Sequence, residues 1–101
     1  MKGQIKVGTY TGTGAAINVE LGFSPDCVIT INYTDGTPIG IWTSNMTAGT
    51  AVDIAAAAAS NAADGISAYA GASATTGLGF TAGTDYSVDA KVYTYIAIAN
   101  Q

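Results

Sequence analysis

The chain has 101 residues, including three lysines, seven acidic residues and no histidine, for a formal net charge of −4. This length predicts a single domain covering residues 1–101. Charged residues make up 10% of the chain, well under the ~25% of an average domain. Because phosphate groups are bound by clustered cations, the composition disfavours nucleic acid or an anionic membrane as a partner.

The first residues and the cysteine content bear on the compartment. Lys2 is followed by mixed polar and apolar residues rather than by the apolar core of a signal peptide. No apolar run approaches the ~18 residues that span a bilayer, so we expect synthesis in a cytoplasm. Cys27 is the single cysteine; it can form neither an intrachain disulfide nor a thiolate zinc site, and we expect it to be a small core residue.

The clearest structural pattern runs from Ile17 to Thr34. Apolar residues alternate strictly with polar or small ones up to Phe23, which predicts a β-strand over 17–24. Pro25 and Asp26 then interrupt the pattern, because proline cannot donate a hydrogen bond to a sheet and aspartate favours turns. A second strand is predicted over 27–34.

Similar patterns predict the other strands, over residues 4–10, 39–44, 51–54, 66–70, 78–82 and 91–99. Turns are predicted where Gly, Asp and Pro cluster, over 11–14, 35–38, 64–65 and 83–85. Trp42 is expected on the face opposite Ile39 and Ile41. The last strand is apolar on both faces, which is typical of a central or interface-facing strand.

The segment after Ile54 is ambiguous. Ala55 to Ala59 has the highest intrinsic helix propensity, but five residues are too few to nucleate a helix alone. We predict a helical turn or an irregular loop up to Ala63.

These elements predict an all-β fold, an antiparallel β-sandwich or barrel of seven to eight short strands with at most one short helical turn and a short N-terminal arm. A weakly charged surface and a doubly apolar last strand favour shared apolar area between copies. We therefore expect a homo-oligomer, with a trimer as the favoured state.

The sequence does not predict an enzyme, a cofactor or a metal. There is no histidine for a catalytic triad, and Cys27 has no basic neighbour in sequence to activate it. Asp85 and Asp89 form a pair four residues apart, but their spacing is unlike an EF-hand and turn aspartates explain them better. The six tyrosines and Trp42 are expected to fill the core, with a protein interface and a sugar-stacking surface as the alternatives.

The stretch from Gly8 to Asn32, GTYTGTGAAINVELGFSPDCVITIN, resembles a pattern in small virion proteins and tail-fibre domains of tailed bacteriophages. In that pattern a G-x-Y-x-G-x-G turn leads to an alternating strand and then to G-F-x-P-x-x-V-I-I. Later pieces agree in order, namely Ile41-Trp42, Asp64 to Ile66, Gly79-Phe80-Thr81 and Tyr93 to Ala97. One departure is Asn32, where similar domains often carry a basic residue.

The resemblance implies a virion structural protein of β-sandwich type, made in the host cytoplasm and located on the capsid surface. Its partner would be the major capsid protein, because a short chain without a fibre shaft favours a capsid decoration (cement) protein. The alternative is a tail-fibre, receptor-binding or carbohydrate-binding domain. The candidate contact residues lie in the N-terminal arm, which could add a strand to a partner's sheet, and in the apolar segment near Met46. They are Met1, Lys2, Gly3, Gln4, Ile5, Met46 and Thr47.

Overall fold

The computed structural model describes residues 4–36, 38–47, 49–54, 58–69 and 78–99, with the backbone alone for 58–64. These residues form eight antiparallel strands and one 3-10 turn, which confirms the predicted all-β class. The strands are β1 (Gln4–Thr11), β2 (Ile17–Glu20), β3 (Cys27–Asn32), β4 (Ile39–Thr43), β5 (Thr50–Ile54), β6 (Ala58–Tyr69), β7 (Gly79–Ala82) and β8 (Val92–Ala99). The 3-10 turn, Thr84–Tyr86, lies between β7 and β8.

The strands form one sheet in the order β1-β8-β3-β4-β5-β6-β7-β2. β3 to β7 follow one another as a meander, β8 returns beside β3, and β1 and β2 form the two edges. The sheet is nearly closed like a barrel, so that Tyr10 near one edge contacts Phe80, with ring centroids 6.2 Å apart. The turn between β1 and β2 connects the two edges of the sheet. Hydrogen bonds hold it against the segment before β8, since the Gly12 amide donates to the Lys91 carbonyl (2.8 Å) and the Gly14 amide to the Ser87 carbonyl (2.7 Å).

The interior combines aromatic rings with very small residues. Tyr10 stacks on Tyr93 with ring centroids 5.1 Å apart, and Phe80 meets Tyr95 edge to face at 5.4 Å. Glycine provides the space for these rings: a Cβ at position 40 would lie 2.3 Å from Cε1 of Tyr86. The buried hydrophobic residues are Leu21, Phe23, Val28, Trp42, Ala51, Ile66, Phe80, Ala82, Tyr86, Tyr93, Tyr95, Ala97 and Ala99. The prediction that the tyrosines and Trp42 fill the core is therefore confirmed for Trp42, Tyr86, Tyr93 and Tyr95, whereas it is wrong for Tyr33, which is 75% exposed.

Trp42 behaves as the sequence predicts. It is 3% exposed and points inward from β4, whereas Ile39 and Ile41 alternate with it on the other face. β2 is shorter than predicted and ends at Glu20, but Leu21 and Phe23 still reach the core from the irregular segment that follows.

The prediction that Cys27 is a core residue is wrong. Along β3 the buried positions are Val28, Thr30 and Asn32, so Cys27 lies half-buried on the outer face. The turn after β3 helps to fix this phase, because Asn32 Nδ2 donates to Asp35 Oδ2 (3.2 Å) and the Asp35 amide donates to Asn32 Oδ1 (3.0 Å). Since side chains alternate with period two, fixing one residue inward fixes the phase of the whole strand.

The prediction for the alanine-rich segment is also wrong over the part that the structure describes. Residues 58–69 form one strand that pairs first with β5 and then with β7, while 55–57 lie outside the described residues. The predicted turn at 64–65 does not reverse the chain; it lies at a register shift, because Ala51 pairs with Asn61 and Thr50 with Ile66. Cross-strand hydrogen bonds therefore override the helix propensity of alanine, and the shift acts as a large bulge.

Candidate functional site

The outward side chains of five neighbouring strands form a continuous aliphatic surface. Cross-strand pairing aligns them in three rows across β1, β8, β3, β4 and β5. The central row is Val7, Ile96, Ile29, Ile41 and Val52. The flanking rows are Ile5, Ile98, Cys27 and Thr43 on one side, and Thr9, Thr94, Ile31, Ile39 and Ile54 on the other. We call these three rows the aliphatic face.

The burial pattern establishes that these side chains point outward. On β3, β4 and β8 each residue of the face is half-buried and alternates with a fully buried neighbour. At the β1 edge, where flanking side chains end, Ile5 is 70% exposed and Val7 65% exposed. Valine, isoleucine and threonine are strong strand formers on either face of a sheet, so strand propensity by itself accounts for apolar residues on both faces, and the case for a contact surface rests on the charge of the face.

The aliphatic face carries no charged side chain. Its five strands contain two charged residues, Lys6 and Asp53. Each lies between two residues of the face, so its side chain points to the other side of the sheet. Asp53 Oδ1 accepts a hydrogen bond from the Tyr86 hydroxyl at 2.9 Å. The ion pair between Lys91 Nζ and Asp35 Oδ1 (3.3 Å) lies in loops at the ends of β8 and β3. A contact made through this face would therefore depend on the burial of apolar area rather than on charge.

The outer surface of the opposite strands is different. Asn18 and Glu20 point outward from β2 and are exposed, and Thr81 points outward from β7. Thr81 Oγ1 donates to Asn18 Oδ1 at 2.7 Å. We call Asn18, Glu20 and Thr81 the polar face. It has the alternation expected of a sheet with one side in water.

The interior contains polar groups but does not form a binding site. The Tyr10 hydroxyl donates to the Tyr86 carbonyl at 2.8 Å. Burial raises the pKa of Tyr10, and the adjacent Tyr93 phenol adds to this shift. Trp42 Nε1 is buried without a hydrogen-bond partner among the described residues. Since no cavity of ligand size accompanies these groups among the described residues, the interior is a core.

The structure places the predicted contact residues in different parts of the molecule. Gln4 and Ile5 are not a free arm, because they belong to β1 and pair with Ala99 and Ile98; residues 1–3 lie outside the described residues. Ile5 is part of the aliphatic face. Met46 is half-buried against the core, and its Sδ accepts from the Thr43 amide at 3.3 Å.

Thr47, the last predicted contact residue, is exposed. Its carbonyl accepts a hydrogen bond from Thr50 Oγ1 at 2.6 Å, so it belongs to the turn before β5. The structure therefore brings Ile5 to the aliphatic face and leaves Met46 and Thr47 outside it. The residues that sequence reasoning missed are the isoleucines of β3 and β4, whose common row depends on strand register.

Asp85 and Asp89 are exposed, and within the described ranges no three His, Cys, Asp or Glu side chains come together as a metal site. Over the same part of the chain, no helix is long and apolar enough to cross a membrane. Comparisons with protein-family models, curated proteins and solved structures gave no match to this chain.

Proposed function

We propose that this protein is a structural subunit that acts by assembling with other proteins and not by catalysis. The observation that supports the proposal is the uncharged aliphatic face, and above all its central row from Val7 to Val52. Five strands about 4.8 Å apart and three rows about 7 Å apart give a projected area of roughly 500 Å². That is at the upper end of the largest apolar patch on typical monomers, and such patches are often interaction sites.

The magnitude of the exposed area favours a covered surface. At about 25 cal/mol per Å², leaving ~500 Å² of apolar area in water forgoes on the order of 10 kcal/mol. A domain of this size has a total stability of only about 5–15 kcal/mol. Covering the face therefore offers a stabilisation of at most this order, because the face residues of β3, β4 and β8 are already half-buried and association has its own entropic cost.

The setting that we propose is the head of a tailed bacteriophage. The support is the resemblance of Gly8 to Asn32 to small virion proteins, together with a compact, nearly closed sheet. In this role the protein is a capsid decoration (cement) protein that binds the major capsid protein on the outside of the shell. A protein that binds the assembled shell more tightly than free subunits stabilises the shell by mass action.

The experiment is a binding assay on purified, expanded heads that lack the protein, with host cells as a second target. Cosedimentation should detect saturable binding to heads, and decorated heads should withstand higher temperatures before they release DNA. Saturable binding to host cells without binding to heads would contradict the capsid role and indicate the receptor-binding alternative. Binding to neither target would contradict both.

A further inference from the structure

We propose that Asp35-Gly36 is a site of slow aspartate isomerisation, and that contacts with Asn32 and Lys91 suppress this reaction in the folded protein. The proposal does not depend on the proposed function, because it concerns the chemistry of the turn between β3 and β4. In the reaction the Gly36 amide nitrogen attacks Cγ of the Asp35 carboxyl group, a nitrogen–carbon bond forms, and the amide proton leaves with the carboxyl hydroxyl as water. Hydrolysis of the resulting succinimide returns aspartate or gives isoaspartate, which adds one methylene group to the main chain.

The glycine after Asp35 makes this turn chemically susceptible. Glycine has no Cβ to obstruct the approach of its own amide to the preceding carboxyl group, and it adopts backbone conformations that are closed to other residues. Gly36 has a φ of 83°, and both Asp35 and Gly36 are exposed. The water that hydrolyses the succinimide therefore has access to this turn.

Three contacts hold the two reacting groups in an unreactive arrangement. The Gly36 amide donates to the Asn32 carbonyl at 2.6 Å. The two carboxylate oxygens of Asp35 are held separately: Oδ2 accepts from Asn32 Nδ2 at 3.2 Å, and Oδ1 lies 3.3 Å from Lys91 Nζ. For the attack, the amide must turn away from the Asn32 carbonyl and the carboxyl group must turn towards Gly36. Each contact that has to break lowers the population of the reactive conformation.

Asn32 anchors this arrangement to the core. It is 2% exposed and lies opposite Tyr93 in the pairing of β3 with β8. Its Oδ1 also accepts from the Asp35 amide at 3.0 Å. Because one buried carboxamide contacts both the amide and the carboxylate of Asp35, the position of this exposed residue is set by the sheet.

The second Asp-Gly pair of the chain, Asp64-Gly65, provides an internal comparison. It lies within β6, where Gly65 is buried and its amide donates to the Gly49 carbonyl at 2.9 Å. A Cβ at position 65 would lie 2.7 Å from the Thr50 carbonyl, so the space around this peptide is already filled. We therefore expect isoaspartate to form at position 35 before position 64.

The test is incubation of the full chain at neutral pH and physiological temperature, followed by peptide mapping that distinguishes isoaspartate at position 35 from isoaspartate at position 64. Folded wild-type protein should form isoaspartate at position 35 at least about ten-fold more slowly than the same chain in concentrated urea, because the reaction proceeds only from an opened turn. Equal rates in the two states would overturn the proposal. Isoaspartate that accumulates first at position 64 in the folded protein would contradict its placement in the turn.

Two variants test the contacts themselves. Lys91→Gln removes the ion pair and should raise the folded rate by about two-fold to five-fold, as expected of an exposed pair. Asn32→Ala removes both hydrogen bonds of the carboxamide and should raise the rate by about ten-fold or more. The matched control is Lys6→Gln, which removes the same charge from an exposed position on β1 and should leave the rate unchanged. Rates in Lys91→Gln and Asn32→Ala that match this control would overturn the proposal.

A third variant keeps the result interpretable if Asn32→Ala impairs folding, which circular dichroism would detect. Asp35→Asn creates an Asn-Gly pair, whose ring closure releases ammonia and is followed by mass spectrometry. This variant loses the ion pair with Lys91 but keeps the hydrogen bond from the Gly36 amide to the Asn32 carbonyl. Its deamidation should remain slower in the folded chain than in urea, and equal rates would show that the hydrogen bond of the Gly36 amide does not suppress the reaction.

Discussion

The aliphatic face and the polar face are two outer surfaces of the same sheet, and both lie over strands whose inward neighbours pack in the core. Their contents differ: the aliphatic face is mostly valine and isoleucine, with threonine and one cysteine, whereas the polar face has Asn18, Glu20 and Thr81. Since the core beneath each surface is already filled, folding does not require the second apolar surface. On the proposed function, the outer composition reflects what each surface meets, which is water for the polar face and a protein for the aliphatic face.

The largest expected effect comes from the core that both surfaces share. Phe80→Ala should lower the free energy of unfolding by about 3–5 kcal/mol, because it removes a buried ring that contacts Tyr10 and Tyr95. Val52→Ala, at the exposed end of the central row, should cost less than about 1 kcal/mol in the monomer. Urea unfolding followed by Trp42 fluorescence at low protein concentration measures both. Equal losses would mean that the aliphatic face contributes to the monomer core.

Two consecutive residues of β3 allow the core and the aliphatic face to be compared directly. Val28 is fully buried and Ile29 is half-buried on the aliphatic face. Val28→Thr should lower monomer stability by about 1–3 kcal/mol, because it buries a hydroxyl among apolar groups, and should leave association unchanged. Ile29→Thr should change monomer stability by less than about 1 kcal/mol and weaken association. If Ile29→Thr instead lowered monomer stability and Val28→Thr weakened association, then Ile29 rather than Val28 would face the core.

Alkaline pH tests the interior without a mutation. Burial raises the pKa of Tyr10, Tyr93 and Tyr95 above the ordinary value of 10.0. The unfolded chain releases these protons near pH 10 while the folded chain keeps them, so their contribution to stability is complete below about pH 10 and is lost above it. Tyrosinate absorbance should rise together with the loss of β-sheet circular dichroism. Full tyrosine ionisation in a chain that stays folded would contradict the buried cluster.

The smallest expected effect is on the polar face. Thr81→Val removes the hydrogen bond to Asn18 and adds an exposed methyl group. Monomer stability should change by less than about 0.5 kcal/mol, and sedimentation should be the same as for wild type. A new concentration-dependent species would show that any apolar addition creates an interface, and the two surfaces would then not differ in kind.

Much of the fold could be predicted from the sequence because it depends on local rules. Period-two alternation located most of the strands, and Asp35-Gly36 marked the β3–β4 hairpin. Pro25-Asp26 marked the end of a strand, but β2 and β3 on either side of it do not pair with each other. The alanine-rich segment was not predictable in this way. It pairs with the preceding strand β5, where Ile54 lies opposite Ala58 and Asp53 opposite Ala59, and this pairing overrides helix propensity. The sequence between Ile54 and Ala58 has no Gly, Pro, Asn or Asp to mark a hairpin.

The candidate site could be predicted only in part. The doubly apolar last strand indicated a central or interface-facing strand, and β8 lies between β1 and β3 with Ile96 and Ile98 on the aliphatic face. In β3 both phases have apolar residues, so alternation could not decide whether Thr30 or Ile29 faces inward. The rows themselves depend on register between strands that are distant in sequence, which no single-strand pattern contains.

The most direct test of the central claim, that a partner protein covers the aliphatic face, is the reaction rate of the Cys27 thiol with a maleimide in free protein and in protein bound to expanded heads. Cys27 lies on the face and is half-buried in the single chain. We predict labelling several-fold slower on heads than in free protein. Equal rates in the two states would contradict the account.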